Sequence, residues 1–267
     1  MITKLIVAGP RGKMGSEAIH MIMDEPSFEL VACLDRKNDG KRLGDILPSF
    51  NQSTVPIYTD IQKCLEFADA DVLVDLTEAE SGYKHAKHAI EHHVRPVVGT
   101  SGLTENQLKE LEQMGNEAGL GTIIAPNFAI GAVLMMQFAK MAAKQFPDVE
   151  IIEKHHDQKK DAPSGSAVKT ADLISSARSD KEQGHPDEKE LIEGARGANI
   201  NGMHIHSVRL PGLVAHQEVI FGGAGQTLTI KHDSYNRDSF MNGLKFAIEK
   251  VMTMDKYIYG LEHILDS

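Results

Sequence analysis

The chain has 267 residues, of which 41% are hydrophobic and 5% aromatic, and its formal net charge is −10. This length predicts one large domain or two smaller ones. The negative charge argues against a nucleic-acid partner, and the lack of Trp argues against an aromatic platform for bases or sugars. No apolar run approaches the roughly 18 residues of a membrane span. The opening MITKLIVAGP is typical of a strand rather than a signal peptide, so we expect a cytoplasmic protein without a membrane partner.

The first half of the chain alternates between short apolar runs and amphipathic segments. The predicted strands are KLIVAG (4–9), FELVACLD (28–35), DVLVDLT (71–77), RPVVGTS (95–101) and GTIIAPN (121–127). The predicted helices are MGSEAIHMIMDE (14–25), TDIQKCLEFA (59–68), SGYKHAKHAIEHH (81–93) and TENQLKELEQMGNEAG (104–119). Such alternation predicts a parallel sheet that is covered by helices on both faces. We therefore expect a Rossmann-like, dinucleotide-binding domain over residues 1–127.

The pattern changes after Asn127. Two helices, AIGAVLMMQFAKMAAKQF (129–146) and SGSAVKTADLISSAR (164–178), are predicted on either side of a strand, VEIIEKHH (149–156). Residues 179–201 are polar and charged, which indicates a mobile loop. Three antiparallel strands are then predicted, HSVRLPG (206–212), HQEVIFGG (216–223) and QTLTIKHDS (226–234), with GGAGQ as a hairpin turn. The predicted fold class is α/β, a Rossmann-like parallel sheet domain plus an α+β substrate and oligomerisation domain (128–236) with a mixed or antiparallel sheet.

A last helical pattern, RDSFMNGLKFAIEKVMTM (237–254), closes the chain. We expect the C-terminal helix segment 237–267 to return to the first domain. The polar joints near Asn127 and Asn236 would then be hinges for domain closure.

A glycine-rich turn joins the first predicted strand to the first helix. Gly9, Gly12 and Gly15 form the pattern GxxGxxG, in which Arg11 replaces the middle glycine of the usual GxGxxG. Glycines allow a tight turn and a close approach of the backbone to a pyrophosphate, and the helix N-terminus offers N–H groups to the anion. The turn predicts a dinucleotide site, and an ordinary tight turn is the alternative.

An acidic residue lies where a ribose-binding side chain is expected. Asp35 ends the second predicted strand about 20 residues after the glycine turn, where it can accept hydrogen bonds from adenosine ribose hydroxyls. Arg36 and Lys37 follow it, while Arg11 and Lys13 lie in the turn, and these cations could hold a 2′-phosphate. Together the two features predict NADH or NADPH as the cofactor, with a simple strand-end turn as the alternative role of Asp35.

Two later strand ends fit the same site. One is Asp75 to Thr77, and the other is Gly99 to Gly102. Ligands of open α/β sheets bind at the carboxyl ends of the strands, and the Gly-Thr-Ser-Gly backbone is unhindered. We expect the Gly99–Gly102 segment to lie near the nicotinamide. The alternative is that both strand ends are ordinary strand–helix connections.

The run EKHHDQKKDAPSGSA (153–167) is too polar for a core. Ser164 is a favourable N-cap for the following helix, so the N–H groups of Gly165 and Ser166 would form an anion site. Lys159 adds a positive charge, and His155 can deliver a proton near neutral pH. The run therefore predicts a clamp for a substrate carboxylate beside a general acid.

Two other interpretations of this run stay open. His155 and His156 could bind a metal, but no third ligand stands at a recognisable spacing, and a purely structural turn is also compatible with the sequence. Cys33 and Cys64 are too few for a disulfide framework and lack the spacing of zinc ligands. We predict no metal site.

The same run resembles the signature of the 4-hydroxy-tetrahydrodipicolinate reductase (dihydrodipicolinate reductase) family, E-x-H-H-x-x-K-x-D-A-P-S-G-T-A. Ser166 is the one departure, and it keeps a hydroxyl and a backbone N–H. Elsewhere GPRGKMG, LDR, VVGTSG and APNFAIG resemble the family's glycine loop, ribose-binding strand end, GTTG segment and domain-linking segment. The family usually has a glycine where Arg11 stands. The resemblance covers the whole chain.

The resemblance implies NAD(P)H-dependent reduction of 4-hydroxy-tetrahydrodipicolinate to tetrahydrodipicolinate in diaminopimelate and lysine biosynthesis. It implies that His155 donates the proton, that Lys159 binds a carboxylate of the dicarboxylate substrate, and that a homotetramer forms through the sheet of the second domain. The residues implied for the substrate are His156, Lys159, Gly165 and Ser166. Those implied for the cofactor are Gly9, Arg11, Gly12, Lys13, Met14, Gly15, Asp35, Arg36, Gly99, Thr100, Ser101, Ala125, Pro126, Asn127 and Phe128.

Two rival functions are compatible with parts of the sequence. A different reductase or dehydrogenase could use the same fold, but a thiol-dependent aldehyde dehydrogenase needs a suitably placed cysteine, which neither Cys33 nor Cys64 provides. A dinucleotide sensor without turnover would need the glycine turn but not His155 and Lys159 together. Both NADH and NADPH are compatible with the sequence. The hydroxylated substrate could lose water on the enzyme or before it binds.

Overall fold

A computed structural model describes residues 2–179 and 181–265. Outside the described residues are Met1, which belongs to the predicted domain 1–127, Asp180, which belongs to the predicted loop 179–201, and Asp266 and Ser267, which belong to the predicted segment 237–267. The chain divides into two compact units. Unit 1 comprises Met1–Ile130 and Arg237–Ser267, and unit 2 comprises Gly131–Asn236.

The described part of unit 1 contains a seven-stranded sheet. Its strands are β1 (Thr3–Ala8), β2 (Phe28–Leu34), β3 (Ile57–Tyr58), β4 (Val72–Asp75), β5 (Arg95–Val98), β6 (Thr122–Ile124) and β12 (Tyr257–Tyr259). They lie in the order β12-β6-β5-β4-β1-β2-β3, and all the pairings are parallel. Every residue of β4 is buried, as expected for a central strand covered on both faces. The predicted parallel sheet is confirmed.

Unit 1 also contains helices, most of which connect these strands. They are α1 (Lys13–Asp24), α2 (Leu43–Ile46), α3 (Ile61–Phe67), α4 (Ala79–Glu91), α5 (Glu105–Ala118), α8 (Asp238–Val251) and α9 (Glu262–Leu265), with a short 3₁₀ turn at Pro48–Phe50. The sequence sets their limits locally: α5 begins at a capping box of Thr104 and Gln107 and ends at Gly119, whose φ is +58°. No helix in the described residues is both long and apolar enough to span a membrane.

The C-terminal segment of unit 1 is not one helix. After α8, which packs against α1, the chain forms β12 beside β6, with Tyr257 paired to Thr122. The sequence pattern predicted the helix but not β12, because three residues are too few to show the alternation of a strand. The edge of the sheet therefore comes from the end of the chain.

Unit 2 is built on a five-stranded sheet. Its strands are β7 (Asp148–His155), β8 (Ala198–Ile200), β9 (Met203–Arg209), β10 (Ala215–Gly223) and β11 (Gln226–Ser234). Its helices are α6 (Ile130–Ala143), whose first residue still belongs to unit 1, and α7 (Gly165–Ser175). The order is β11-β10-β7-β9-β8. β10 is antiparallel to β7 and β11, as predicted, but β9 runs parallel to β7. The three predicted strands alternate in direction, but β9 pairs with β7 rather than with β10, because the crossover through α7 returns the chain to the starting end of β7. The predicted mixed sheet is confirmed.

β8 lies within the segment that was predicted to be a loop. It pairs antiparallel with β9 across a turn at Asn201 and Gly202, whose φ angles are 52° and 73°. Positive φ at both positions is the geometry of a type I′ hairpin, and Asn-Gly is its usual sequence. The prediction of a loop is wrong for Ala198–Ile200, and the Asn-Gly pair was the sequence signal for the hairpin.

Candidate active site

A cavity of about 410 Å³ opens in unit 1 beside the carboxyl ends of β1, β2 and β4. This is the edge at which open α/β sheets bind ligands. Of the predicted cofactor residues, it brings together Gly9, Arg11, Gly12, Asp35 and Arg36. Leu76 and Thr77, from a strand end predicted to lie at the site, also line it, whereas the unpredicted lining residues are Leu34, Thr59, Glu78, Ser81 and His85. The lining does not include Lys13, Met14, Gly15, Gly99, Thr100, Ser101, Ala125, Pro126, Asn127 or Phe128.

Two glycines of the turn stand where a side chain would be strained or would clash. Gly9 has a φ of +86°, and a Cβ atom on Gly15 would lie 2.1 Å from the carbonyl oxygen of Gly9. Gly12 is the N-cap of α1, so the first N–H groups of that helix emerge at the turn. This backbone fits a pyrophosphate, because it offers donors with no side chain in the way.

Arg11 and Asp35 form an ion pair in the cavity. Nε and Nη2 of Arg11 lie 2.5 and 2.8 Å from the two carboxylate oxygens of Asp35, which is buried. Burial raises the pKa of Asp35, but hydrogen bonds from Arg11 and Asn38 outweigh it and hold the pKa below its usual value. Asp35 is therefore an ionised acceptor, and Arg36, which is exposed, is the cation next to it.

A second buried carboxylate stands behind the cavity. Asp75 is fully buried and accepts hydrogen bonds from the N–H and the hydroxyl of Thr77, at 2.9 and 2.6 Å. Its other oxygen lies 2.6 Å from Nδ1 of His85, which lines the cavity. Sequence reasoning did not find His85, because a histidine in the middle of a helix has no spacing that links it to a strand end.

The two predicted nicotinamide segments lie side by side in unit 1. A Cβ atom on Gly99 would lie 2.5 Å from a ring carbon of Phe128 and 2.6 Å from a methyl carbon of Leu76. The N–H of Ala125 donates to the carbonyl of Val98 at 2.8 Å. A side chain at position 99 would therefore require the side chains of Phe128 and Leu76 to move, at a point where three strand ends converge.

In unit 2, the run 153–167 forms the end of β7, a turn and the start of α7. The prediction that Ser164 is the N-cap is confirmed, since its hydroxyl accepts the N–H of Ala167 at 3.3 Å. Gly165 is exposed, and a Cβ atom there would meet nothing within 4 Å. The positive end of α7 therefore faces open space, with room for an anion.

Lys159 is held by an acid, Asp161, that sequence reasoning missed. Its Nζ lies 2.8 Å from both carboxylate oxygens of Asp161, and its side chain is 21% exposed. The hydrogen bond from Lys159 lowers the pKa of Asp161. His156 and Lys160 are exposed. A carboxylate that binds Lys159 has to share it with Asp161 or displace it.

His155 is the titratable group at the end of β7. Its Nδ1 lies 2.5 Å from Oε2 of Glu153, and its side chain is 15% exposed. Burial lowers the pKa of His155, Glu153 raises it, and the positive charges of Lys159 and Arg209 lower it further. The balance leaves the pKa below the usual value for histidine, so the protonated imidazole is a stronger acid than an ordinary histidine.

In the part of the chain that the structure describes, no group of three or more His, Cys, Asp or Glu side chains could hold a metal ion. Both cysteines are buried. Burial raises the pKa of Cys64 to about 12 and raises that of Cys33 as well, so neither is a thiolate near neutral pH.

Comparison with known proteins covers both units. Residues 3–128 match the family model "Dihydrodipicolinate reductase, N-terminus", and residues 131–265 match "Dihydrodipicolinate reductase, C-terminus". The 4-hydroxy-tetrahydrodipicolinate reductase of Oceanobacillus iheyensis is 62% identical over 265 residues, which are 99% of this chain and 100% of that protein. The protein of the same name from Bacillus subtilis is 59% identical over 98% of each chain.

A solved structure agrees with the sequence comparison. Dipicolinate-bound dihydrodipicolinate reductase from Paenisporosarcina sp. TG-14 superposes with a TM-score of 0.89 at 50% identity, over 99% of this chain and 100% of that one. The chain belongs to the dihydrodipicolinate reductase family.

Proposed function

We propose that the protein reduces 4-hydroxy-tetrahydrodipicolinate to tetrahydrodipicolinate with NADH or NADPH. Family membership supports the reaction class. The observation that carries the proposal is in unit 2, where a partly buried histidine at the end of β7, a lysine in the following turn and an open helix N-terminus follow one another along the chain. A proton donor and two positive groups for a dicarboxylate are what this reduction needs from the protein.

The residues of unit 1 fit a nicotinamide dinucleotide. The glycine turn would bind the pyrophosphate, and Asp35, Arg11 and Arg36 would bind the adenosine end. Gly99–Ser101 and Ala125–Phe128 would lie near the nicotinamide. When bound, the cofactor supplies a hydride.

The residues of unit 2 would bind and orient the substrate. The N–H groups of Gly165 and Ser166 and the ammonium of Lys159 would bind one carboxylate, with His156 beside them. A relative of this chain has been solved with dipicolinate, an aromatic dicarboxylate of the same ring skeleton, which supports a dicarboxylate ligand here. Orientation matters because both hydride and proton must reach particular ring carbons.

His155 would supply the proton. Loss of the 4-hydroxyl as water turns the substrate into an unsaturated imine. Hydride then adds at the carbon β to this imine, and the resulting enamine takes up one proton at the neighbouring ring carbon. The Nε2 proton of His155 is the one available for this step, because Nδ1 is engaged by Glu153. Since coenzyme and substrate residues belong to different units, we expect neither unit alone to carry out the reaction.

We propose a cytoplasmic homotetramer that is joined through the sheet of unit 2. Residues 226–229 of β11 are exposed, Leu228 by 37%, and β11 is the edge strand of its sheet. An exposed edge strand with an apolar side chain is a surface on which a second copy can pack.

We predict that both coenzymes are used and that Arg36→Ala weakens NADPH more than NADH. Asp35 already pairs with Arg11, whereas the exposed guanidinium of Arg36, with Lys37 next to it in the sequence, can meet a 2′-phosphate. Loss of a charge-assisted contact of about 1.5–3 kcal/mol corresponds to a loss of roughly 10–150-fold in NADPH affinity. Binding titrations with both coenzymes measure this, and equal weakening of the two would place Arg36 away from the phosphate.

The function is tested by following coenzyme oxidation with freshly generated 4-hydroxy-tetrahydrodipicolinate. We expect oxidation that depends on this substrate and no oxidation with simple aldehydes. Turnover of aldehydes instead would indicate a different dehydrogenase. Coenzyme binding without turnover of either would indicate a sensor, and both results would contradict the proposal.

A further inference from the structure

A buried carboxylate stands directly behind the proposed proton donor. Glu153 precedes His155 by two residues on β7, so both side chains lie on the same face of the sheet. Glu153 is fully buried, and its Oε2 lies 2.5 Å from Nδ1 of His155. Arg209, on the neighbouring β9, donates to both carboxylate oxygens at 2.7 and 2.8 Å. This bidentate pair fixes the position of Glu153.

The same pair contacts the turn that leads to α7. Oε1 of Glu153 accepts the backbone N–H of Ser164, the N-cap of α7, at 3.2 Å. Nη2 of Arg209 donates to the backbone carbonyl of Asp161 at 2.8 Å, and the side chain of Asp161 holds Lys159. One Glu–Arg pair therefore contacts the histidine, the residue that holds the lysine, and the start of the helix.

The ionisation state of Glu153 determines which nitrogen of His155 carries a proton. Burial raises the pKa of Glu153, but hydrogen bonds from Arg209, Ser207 and His155 outweigh it and keep the pKa below its usual value. An ionised carboxylate only accepts hydrogen bonds, so Nδ1 of His155 has to be a donor. Nε2 is then the nitrogen that releases and regains a proton.

A buried ion pair can also be purely structural. In that case Glu153 would stabilise unit 2, and the tautomer of His155 would not depend on it. The geometry argues against this reading, because one oxygen of Glu153 is directed to the imidazole and the other to the N-cap of α7.

We propose that Glu153 and Arg209 form a positioning pair. The pair fixes the tautomer and orientation of His155, and it holds the start of α7 in the position where its N–H groups bind the substrate carboxylate. This inference deepens the proposed function and rests on it.

Glu153→Gln is expected to change the pH profile as well as the rate. The charged groups that face His155 are Glu153 on its own strand, Arg209 on β9 and Lys159 on the following turn. Removal of the negative charge leaves the two positive ones, so the pKa of His155 falls further below its usual value. Because the protonated imidazole is the donor, kcat is lost as pH rises through that pKa. The loss should therefore begin at lower pH in the variant.

We expect kcat to fall roughly 10–100-fold in Glu153→Gln, the range known for carboxylates that orient metal-binding histidines. Glu110→Gln is the matched control. Glu110 also accepts hydrogen bonds from two groups, Lys87 and Tyr83, but it lies on α5 in unit 1, and its replacement should leave the pH profile unchanged. The double variant Glu153→Gln/Arg209→Met removes the unpaired buried guanidinium should the single variant not fold. We expect from it a shift of the pH profile in the same direction but smaller, because the positive charge of Arg209, which lowers the pKa of His155, is removed as well.

Nitrogen-15 NMR of the wild-type protein decides the inference without any substrate. We expect neutral His155 to carry its proton on Nδ1 in the wild type and to shift toward the Nε2–H form in Glu153→Gln. A wild-type His155 with its proton on Nε2, or a Glu153 variant with the wild-type tautomer and pH profile, would overturn the positioning pair. Failure of the wild-type coenzyme assay would instead overturn the proposed function, since the NMR result does not depend on turnover.

Discussion

Replacement of His155 by Ala is expected to lower kcat by roughly 10²–10⁴-fold, the usual contribution of a positioned general acid. The enamine that follows hydride addition needs a proton at carbon, and water delivers it more slowly than an imidazole that is already held in place. At the end of β7, His155 combines partial burial, a carboxylate partner and a lowered pKa, whereas His156, the next residue, is exposed.

Coenzyme affinity should hardly change in the same variant, because His155 belongs to unit 2 and the proposed coenzyme residues belong to unit 1. His92→Ala is a suitable control, since His92 is an exposed histidine at the end of α4. Steady-state kinetics and coenzyme titration of both variants give the answer. A kcat for His155→Ala close to that of the wild type would remove His155 from the mechanism.

Lys159→Ala is expected to raise KM for the dicarboxylate and to lower kcat. Loss of a charge-assisted contact of about 1.5–3 kcal/mol corresponds to a decrease of roughly 10–150-fold in kcat/KM. The structure adds a second cause. Without Lys159, the carboxylate of Asp161 has no ammonium beside it and would repel the carboxylate of the substrate. A loosely bound substrate ring is also poorly oriented toward the hydride donor and the proton donor, which lowers kcat.

Lys160 is the matched control for Lys159. It is adjacent and carries the same side chain but is exposed, whereas Lys159 is half-buried against Asp161. Lys160→Ala should therefore stay close to the wild type when both variants are assayed at one ionic strength. If the two variants behave alike, Lys159 does not bind the substrate carboxylate.

Much of the fold follows from local patterns in the sequence. Long strands are indicated by apolar runs and long helices by helical periodicity, as in β1 and α5. Ser164 was predicted to be a helix cap from its residue type alone. The missed elements are short: β3 has two residues, and β8 and β12 have three each. Strands of this length are formed by their neighbours in the sheet rather than by their own sequence.

The residues of the candidate site also fall into two groups, those that the sequence predicted and those that it did not. The glycine turn, Asp35 and the run 153–167 are contiguous in sequence and were found. Contacts between distant positions were not, such as Glu153 with Arg209, which are 56 residues apart, and Asp75 with His85, which are 10 apart. Only the pairing of β7 with β9 brings Arg209 to Glu153, and no spacing along the chain encodes that register.

Mass spectrometry of the product formed with deuterated coenzyme tests the central claim most directly. Coenzyme labelled at either the pro-R or the pro-S position of the nicotinamide C4 would be supplied with freshly generated 4-hydroxy-tetrahydrodipicolinate in ordinary water. The account predicts that one of the two labelled forms, and not the other, yields tetrahydrodipicolinate that carries a single deuterium on a ring carbon. Formation of the product without deuterium from either form, or no product at all, would contradict it.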